Sequence, residues 1–93
     1  MTEAPLSGRR VLVVGASSGL GAALAKAVVS AGGDVAVSAR RSDRLDALVV
    51  EMGRGHAVPG DTTIPAEARR VADEAAAVMG GLDLMVYLSL IHI

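Results

Sequence analysis

The sequence contains no cysteine, tryptophan or phenylalanine and only one tyrosine among its 93 residues. Without cysteine, the chain can form neither a disulfide framework nor a cysteine-ligated metal site. A core without large aromatic rings must be built from Val, Leu, Ile and Ala, as is typical of helices packed on a buried parallel sheet. Because hydrophobic residues still make up 52% of the chain, we expect a folded domain.

Strong charge and long apolar runs are also lacking. A net charge of −1 provides no general attraction to nucleic acid or to an anionic membrane. No apolar run reaches the roughly 18 residues of a membrane span, and the N-terminal stretch MTEAPLSGRR lacks the apolar region of a secretory signal. His56 has no second histidine or acidic cluster around it, so we predict no metal site. We expect a cytoplasmic protein that binds neither nucleic acid nor membrane.

Short β-branched runs alternate with segments of helical period, which indicates βαβ units and a parallel sheet. The predicted strands are 11–14, 34–39, 56–58 and 82–87, the first of them buried on both faces. The first predicted helix covers 20–31 and ends at Gly32-Gly33; the second is capped by Ser42 and ends at Gly53. The third is capped by Thr63, has Pro65 in its first turn and ends at Gly80-Gly81. The pattern therefore predicts an α/β fold of the form βαβαβαβ.

Apolar residues at helical spacing predict the buried face of each helix. These positions are Leu20, Leu24, Ala27, Val28 and Ala31 in the first helix, Leu45, Leu48, Val49 and Met52 in the second, and Ala68, Val71, Ala72, Ala75, Val78 and Met79 in the third.

A glycine-rich loop, GASSGLG, joins the first strand to the first helix. Such a loop brings backbone N–H groups and a helix N-terminus to one point, which suits the pyrophosphate of a dinucleotide. Gly15 permits the tight turn, Gly19 lets the backbone approach the phosphates, and Gly21 lets the helix pack closely on the strand. The alternative is a glycine-rich turn without a ligand. A P-loop is excluded because no Lys-Ser/Thr pair follows the last glycine.

The segment VLVVGASSGLGAALA resembles the opening of the short-chain dehydrogenase/reductase family, with Val14 where that family commonly has Thr. The resemblance continues in VAVSARRSDRL, in the Gly-Asp-Thr at 60–62 and in GGLDLMVY, and so covers residues 7–87. It implies a Rossmann-type sheet of order 3-2-1-4, truncated after the fourth strand. Residues 1–93 would be the N-terminal half of a single NAD(P)-binding domain. The loop residues assigned to the cofactor are Gly15, Ser17, Ser18, Gly19, Leu20 and Gly21.

The end of the second strand favours NADP(H). NAD-binding Rossmann units place a carboxylate there to bind the ribose 2′-hydroxyl, whereas this chain has Ala39 followed by Arg40-Arg41. A guanidinium at this point attracts a 2′-phosphate, and NADP-preferring members of the family carry Arg at the position of Arg40. NAD(H) stays as the alternative, because many NADP-binding relatives have a basic residue where this chain has Ser18. Arg40 and Arg41 could also be solvated loop charges.

The third strand is followed by Asp61 and Thr62. In the family, an Asp carboxylate and the next backbone N–H hold the adenine ring, which implies that role for Asp61 and Thr62. The alternative for Asp61 is a turn-forming or helix-capping acid.

The catalytic residues of the family are absent. Its members transfer a hydride between nicotinamide and a carbonyl or alcohol carbon, using a Tyr-x-x-x-Lys pair as general acid/base. This chain has one Tyr, Tyr87, and one Lys, Lys26, and Ile91 stands four residues after Tyr87. The resemblance thus implies an oxidoreductase as the full-length parent, a homo-oligomer acting on a small carbonyl or alcohol, with this fragment inactive. The alternative is a non-catalytic dinucleotide-binding or sensing module.

The chain departs from the family after Tyr87, where Asn-Ala-Gly is usual and Leu88–Ile93 reads LSLIHI. One reading frame of the transposon end used in sequencing-library preparation translates to these six residues. We therefore expect the native frame to end at Tyr87 or within a residue of it, and 88–93 to be translated adapter.

Overall fold

A computed structural model describes residues 5–16 and 19–88 of the chain. In this part, four strands alternate with three helices, which confirms the predicted βαβαβαβ order. The strands are β1 (Arg10–Val14), β2 (Asp34–Ser38), β3 (His56–Ala57) and β4 (Leu84–Tyr87). The helices are α1 (Gly19–Ser30), α2 (Ser42–Met52) and α3 (Pro65–Met79). None of the described helices is long and apolar enough to cross a membrane.

The strands form one parallel sheet in the order β3-β2-β1-β4, as the family resemblance implied. The central strand β1 pairs with β2 on one side and with β4 on the other. The run Val11–Val14 is almost completely buried, because helices cover both faces of the sheet here.

Successive residues of β1 and β2 supply the two halves of the core. Val11 and Val13 point to the face covered by α1 and α2, and Leu12 and Val14 point to the face covered by α3. From the helices, the first half receives Ala25, Val28, Leu45 and Leu48, and the second receives Val71 and Ala75.

The predicted inner face of α1 is only partly confirmed: Val28 is buried and Leu24 packs against the core. Its buried residues are Gly21, Ala25 and Val28, whereas Leu20 is 70% exposed and Ala27 also faces solvent. Nearly every position of this helix is apolar, so hydrophobic period alone fixes its rotation poorly. The close approach of Gly21 to the preceding loop, described below, fixes it instead.

The predicted faces of the other two helices are largely confirmed. Leu45 and Leu48 of α2 are buried, with Val49 and Met52 packed at the edge of the same cluster. In α3, Val78 is an exception, because it is 51% exposed.

Both predicted N-cap residues are wrong. The residue before α2 is Arg41 and the residue before α3 is Ile64, each with extended backbone and without a side-chain cap. Ser42 is already helical, and the Thr63 hydroxyl donates to the Asp61 carboxylate and accepts no hydrogen bond from the start of α3. Pro65 occupies the first turn of α3 as predicted.

The predicted glycine stops are confirmed. After α1, Gly32 has φ +87° and donates to Val29, and Gly33 donates to Val28. This is the Schellman arrangement, which satisfies the last carbonyl groups of a helix. Gly53 and Gly80 end α2 and α3 in the same left-handed conformation.

Strand β4 forms one edge of the described sheet and carries exposed apolar side chains. Leu84, Met85 and Tyr87 are each about half exposed. Leu88 continues the ladder, since its N–H donates to the Val14 carbonyl at 3.0 Å. The rest of the suspected adapter, 89–93, lies outside the described residues, and the adapter assignment stays a prediction.

Candidate functional site: the carboxyl edge of the sheet

The glycine loop leaves the carboxyl end of β1 and is tied to the neighbouring strand. The N–H groups of Gly15 and Ala16 both donate to the Ser38 carbonyl, at 2.8 and 3.1 Å. Gly15 has φ +91°, a conformation that favours glycine. The loop is therefore held at the end of β1, beside the end of β2. Ser17 and Ser18 lie outside the described residues.

Gly21 is buried where the first turn of α1 meets this loop. A Cβ atom added to Gly21 would lie 2.4 Å from the Gly15 carbonyl oxygen and 2.7 Å from the Ala16 Cα. Both neighbours are backbone atoms, so the helix or the loop would have to move to make room. The sequence predicted close helix packing at Gly21, and the structure assigns the contact to the loop directly after the strand.

Gly19 has the opposite surroundings. A Cβ atom added there would meet nothing within 4 Å, and the adjacent Leu20 side chain is largely exposed. The N-terminus of α1 thus faces open space. This is the geometry that an anion needs to approach the first amides of a helix.

Arg40 and Arg41, which follow the end of β2, are both exposed but have different neighbours. The Arg41 guanidinium lies 3.7 Å from the Asp43 carboxylate on the first turn of α2. Arg40 lies on the side of Asp61. Hydrogen bonds from the Thr63 hydroxyl and amide lower the pKa of Asp61, and the positive charge of Arg40 lowers it further.

Asp61 lies in a tight turn between β3 and α3. Its Oδ1 accepts from the Thr63 amide at 3.1 Å and from the Thr63 hydroxyl at 2.5 Å. The alternative role weighed for Asp61, a turn-forming acid, is therefore observed. Only Oδ1 is used in these two bonds, and a carboxylate has further acceptor capacity for a ligand.

The segment before Asp61 is fixed by close packing. The Gly60 amide donates to the Ala39 carbonyl, and the Arg70 guanidinium donates to the Pro59 carbonyl at 2.8 Å. A Cβ atom on Gly60 would lie 2.6 Å from a methyl group of Val71. These contacts hold the turn that carries Asp61 and Thr62 beside the end of β2.

Two residues at this edge were not among the predicted site residues. Ser38, the last residue of β2, is fully buried, and its hydroxyl has no hydrogen-bond partner among the residues that the structure describes. Tyr87, the last residue of β4, places its hydroxyl 3.4 Å from the Thr62 hydroxyl. The sequence could have pointed to Tyr87 as a site residue, because it is the last residue of a predicted strand. Nothing in the sequence marks Ser38.

The carboxyl edge thus brings together the described residues of the glycine loop, Arg40, Asp61 and Thr62. A parallel sheet binds ligands at this edge, beside the strand where the connections change direction. Here that strand is β1, because the chain runs from β1 through β2 to β3 and then returns to its other side as β4.

A family model for short chain dehydrogenases matches residues 9–88. The chain belongs to the short-chain dehydrogenase family. Among curated proteins of the family, an uncharacterized oxidoreductase of Staphylococcus haemolyticus is 39% identical over 88 residues, covering 92% of this chain and 37% of that protein. A hydroxysteroid 11-beta-dehydrogenase 1-like protein of Danio rerio is 41% identical, covering 90% of this chain and 31% of that protein.

Solved structures of short-chain dehydrogenases have the same fold. A short-chain type dehydrogenase/reductase of Mycobacterium marinum superposes with a TM-score of 0.84 at 35% identity, covering 91% of this chain and 37% of that one. A short chain dehydrogenase of Burkholderia cenocepacia, solved in complex with NADP, gives a TM-score of 0.81 at 37% identity, with 87% and 35% covered. The chain spans about a third of the length of these short-chain dehydrogenases.

A cleft lies at the amino edge of the sheet, opposite the glycine loop. This cleft of about 460 Å³ is lined by Arg9, Arg10, Asp34, Arg54 and His56, together with glycines. None of these residues belongs to the predicted cofactor site. Among the described residues, no group of three or more His, Cys, Asp or Glu side chains could hold a metal ion.

Proposed function

We propose that the carboxyl edge of the sheet binds NADP(H), with NAD(H) as the weaker ligand. The observation that carries this proposal is the pair of glycines at the start of α1. Gly21 brings the helix against the loop, and Gly19 leaves the helix N-terminus open to solvent. An open helix N-terminus next to a glycine loop binds a pyrophosphate well, because several amides and the helix dipole act on the same anion. Ser17, Ser18 and Leu20 complete the proposed phosphate loop.

Arg40 is the proposed partner of the 2′-phosphate. Its neighbour Arg41 has a local partner in Asp43, whereas Arg40 lies toward Asp61 and the end of β3. A guanidinium binds a phosphate through charge-assisted hydrogen bonds. The relative from Burkholderia cenocepacia was solved with NADP, which agrees with this assignment.

Asp61 and Thr62 are the proposed contacts for the adenine ring, through the Asp61 carboxylate and the Thr62 backbone amide. The Thr63 bonds and the Arg40 charge keep Asp61 ionised near neutral pH, because they lower its pKa. An ionised carboxylate accepts hydrogen bonds, as the adenine amino group requires.

We further propose that the full-length parent is a cytoplasmic, homo-oligomeric oxidoreductase that acts on a small carbonyl or alcohol. When bound, NADPH supplies the hydride for such a reaction. The residues of this chain would bind and orient the cofactor only, since the sequence contains no Tyr-x-x-x-Lys pair. We therefore expect the 93-residue chain to be inactive by itself. If the native gene lacks that pair beyond residue 88, the protein would instead be a non-catalytic dinucleotide-binding module. Sequencing the locus past the codon for Tyr87 decides between the two and also tests the adapter assignment.

The binding experiment is calorimetric titration of the chain with NADP⁺ and with NAD⁺. We expect tighter binding of NADP⁺. The Arg40→Ala variant should lose about 10- to 100-fold in NADP⁺ affinity, as expected for one charge-assisted contact, and little in NAD⁺ affinity. Arg41→Ala is the matched control and should change the preference much less. Equal binding of both dinucleotides by the unmodified chain would contradict the NADP(H) assignment, and no binding of either would contradict the proposed function.

A further inference from the structure

We propose that the Tyr87 ring forms one wall of the adenine pocket and stacks on the adenine base. This inference rests on the proposed function, because it assigns a further residue to the same site. Tyr87 stands where the family resemblance offers no cofactor role for an aromatic side chain, so the assignment comes from its position in this structure.

Tyr87 lies on the last rung of the sheet, at the carboxyl edge. Val14 pairs with Ser38 on one side and with Tyr87 on the other. In a parallel sheet, paired residues point to the same face, so Ser38, Val14 and Tyr87 form a row across three neighbouring strands. The row lies on the face of the sheet that α3 covers. It ends where the glycine loop begins, since Gly15 follows Val14.

The Tyr87 side chain extends toward the proposed adenine contacts. Its hydroxyl is 3.4 Å from the hydroxyl of Thr62, which is longer than a typical O–H···O hydrogen bond. The two residues are 25 positions apart in sequence, and the fold alone brings them together. The ring therefore lies next to the turn that presents Asp61 and Thr62.

Tyr87 is half exposed. Most of the surface of a tyrosine side chain is apolar, so this exposure leaves apolar surface in contact with water. Stacking on a purine would cover this surface and use the aromatic face, an interaction worth roughly 1–3 kcal/mol for a base, equivalent to about a 5- to 150-fold change in affinity. Tyr87 is also the only Tyr, Phe or Trp in the sequence. No other aromatic ring of the sequence, the two His apart, can supply such a wall.

The single tyrosine allows a direct test by proton NMR of the 93-residue chain. Apart from the two histidines, every aromatic side-chain signal arises from Tyr87. The probes are NADP⁺ and adenosine 2′,5′-bisphosphate, which contains only the adenosine half of NADP⁺ with its 2′- and 5′-phosphates. We expect both to shift the Tyr87 ring signals upfield, because the adenine ring current acts on protons stacked over it. Ribose 5-phosphate, which has no base, should leave these signals unchanged.

Three variants separate stacking from other effects. Tyr87→Ala should weaken adenosine 2′,5′-bisphosphate binding by about tenfold, and Tyr87→Phe, which keeps the ring, should stay within about twofold of the unmodified chain. Met85→Ala is the matched control. Met85 lies two residues before Tyr87 on β4, on the same face of the sheet, and is also half exposed. It should not change the affinity.

Calorimetry run in parallel distinguishes failure of the inference from failure of the proposed function. Saturable binding without a shift of the Tyr87 signals, or with equal affinity of the Ala and Phe variants, would overturn the stacking role and leave cofactor binding intact. Absence of saturable binding by NADP⁺ would overturn the proposed function and the stacking role with it. An upfield shift of the Tyr87 ring signals, together with a loss of affinity in Tyr87→Ala but not in Tyr87→Phe, would support stacking of Tyr87 on the adenine.

Discussion

The two edges of the sheet use their polar groups differently. At the amino edge, the Arg10 side chain donates to both oxygens of Asp83 and to the Gly80 carbonyl, and the Arg10 amide also donates to Asp83. At the carboxyl edge, Ser38 has a buried hydroxyl without a partner among the described residues, and Gly19 faces open space. The Arg10–Asp83 group of the amino edge is satisfied within the chain, whereas the start of α1 near the carboxyl edge is exposed. A binding edge must leave exposed capacity of this kind, because a ligand has to supply the remaining partners.

The glycines at the two edges also differ in what occupies the space that a side chain would fill. Gly81 at the amino edge leaves room for the Arg10 guanidinium, since an added Cβ would lie 2.4 Å from its Nη1 atom. Gly21 near the carboxyl edge leaves room for the backbone of the glycine loop, and a Cβ on Gly19 would meet nothing within 4 Å. The same residue type thus serves internal packing at two of these positions and leaves open space at the third, where we propose that the cofactor binds.

The largest effect is expected for Gly21→Ala. The added methyl would meet the Gly15 oxygen at 2.4 Å and the Ala16 Cα at 2.7 Å, so either α1 or the loop must move. We expect a loss of about 3 kcal/mol or more in the free energy of unfolding, at the upper end for overpacked sites, measured by urea denaturation followed by circular dichroism. Cofactor affinity should fall as well. An unchanged unfolding midpoint would show that Gly21 does not hold the helix against the loop.

The second prediction separates binding from folding at the same helix start. Gly19→Ala adds a methyl that meets nothing within 4 Å, so the free energy of unfolding should change by less than about 0.5 kcal/mol. The methyl would stand where the pyrophosphate is proposed to approach, and NADP⁺ affinity should fall by at least about tenfold, as for loss of one or two good hydrogen bonds. Calorimetric titration measures the affinity. Full affinity in this variant would mean that the phosphates do not approach the helix at Gly19.

The third prediction tests the amino edge by Asp83→Asn. This change removes the charge that pairs with Arg10 at 3.0 Å, so we expect a lower unfolding midpoint with unchanged NADP⁺ affinity. Hydrogen bonds from the Arg10 side chain and backbone lower the pKa of Asp83 below its ordinary value of 3.8. Its stabilising contribution is therefore complete above that value and is lost as the pH falls through the lowered pKa.

The stability difference between the unmodified chain and Asp83→Asn should consequently be constant from about pH 5 upward and shrink below about pH 4. The matched control is Asp73→Asn, at an exposed position of α3, which should show a smaller difference. If Asp83→Asn weakened NADP⁺ binding while leaving stability unchanged, the division between the two edges would be wrong.

The features that the sequence predicted well are those with a local cause. Short β-branched runs and glycine stops mark the strands and helix ends, because backbone geometry at residues such as Gly32 depends on the residue itself. The inner face of α1 was predicted only in part, because Leu20 and Val28 are both apolar and the hydrophobic pattern does not show the contact of Gly21 with Gly15. The predicted caps differ from the structure because the helices begin elsewhere: α2 begins at Ser42 itself, and α3 begins two residues after Thr63, whose hydroxyl donates to Asp61.

The candidate site also combines features with a local cause and features that depend on tertiary packing. Gly15, Arg40 and Asp61 follow strand ends, so their common edge could be predicted from the order of the elements. The meeting of Thr62 with Tyr87 and the burial of the Ser38 hydroxyl depend on which strands are neighbours and on what covers them. Such facts arise from tertiary packing, and no local pattern encodes them.

The smallest predicted effect is that of Ser38→Ala, and its sign is unusual. A buried hydroxyl without a partner costs free energy in the folded state, because it has lost its hydrogen bonds to water. Removing it should therefore raise the free energy of unfolding by up to about 1 kcal/mol, measured by urea denaturation, whereas most core substitutions lower it. Ser30→Ala, at an exposed position of α1, is the control and should stay within about 0.5 kcal/mol. A clear loss of stability in Ser38→Ala would mean that the hydroxyl has a partner in the folded chain, and the carboxyl edge would then be as self-contained as the amino edge.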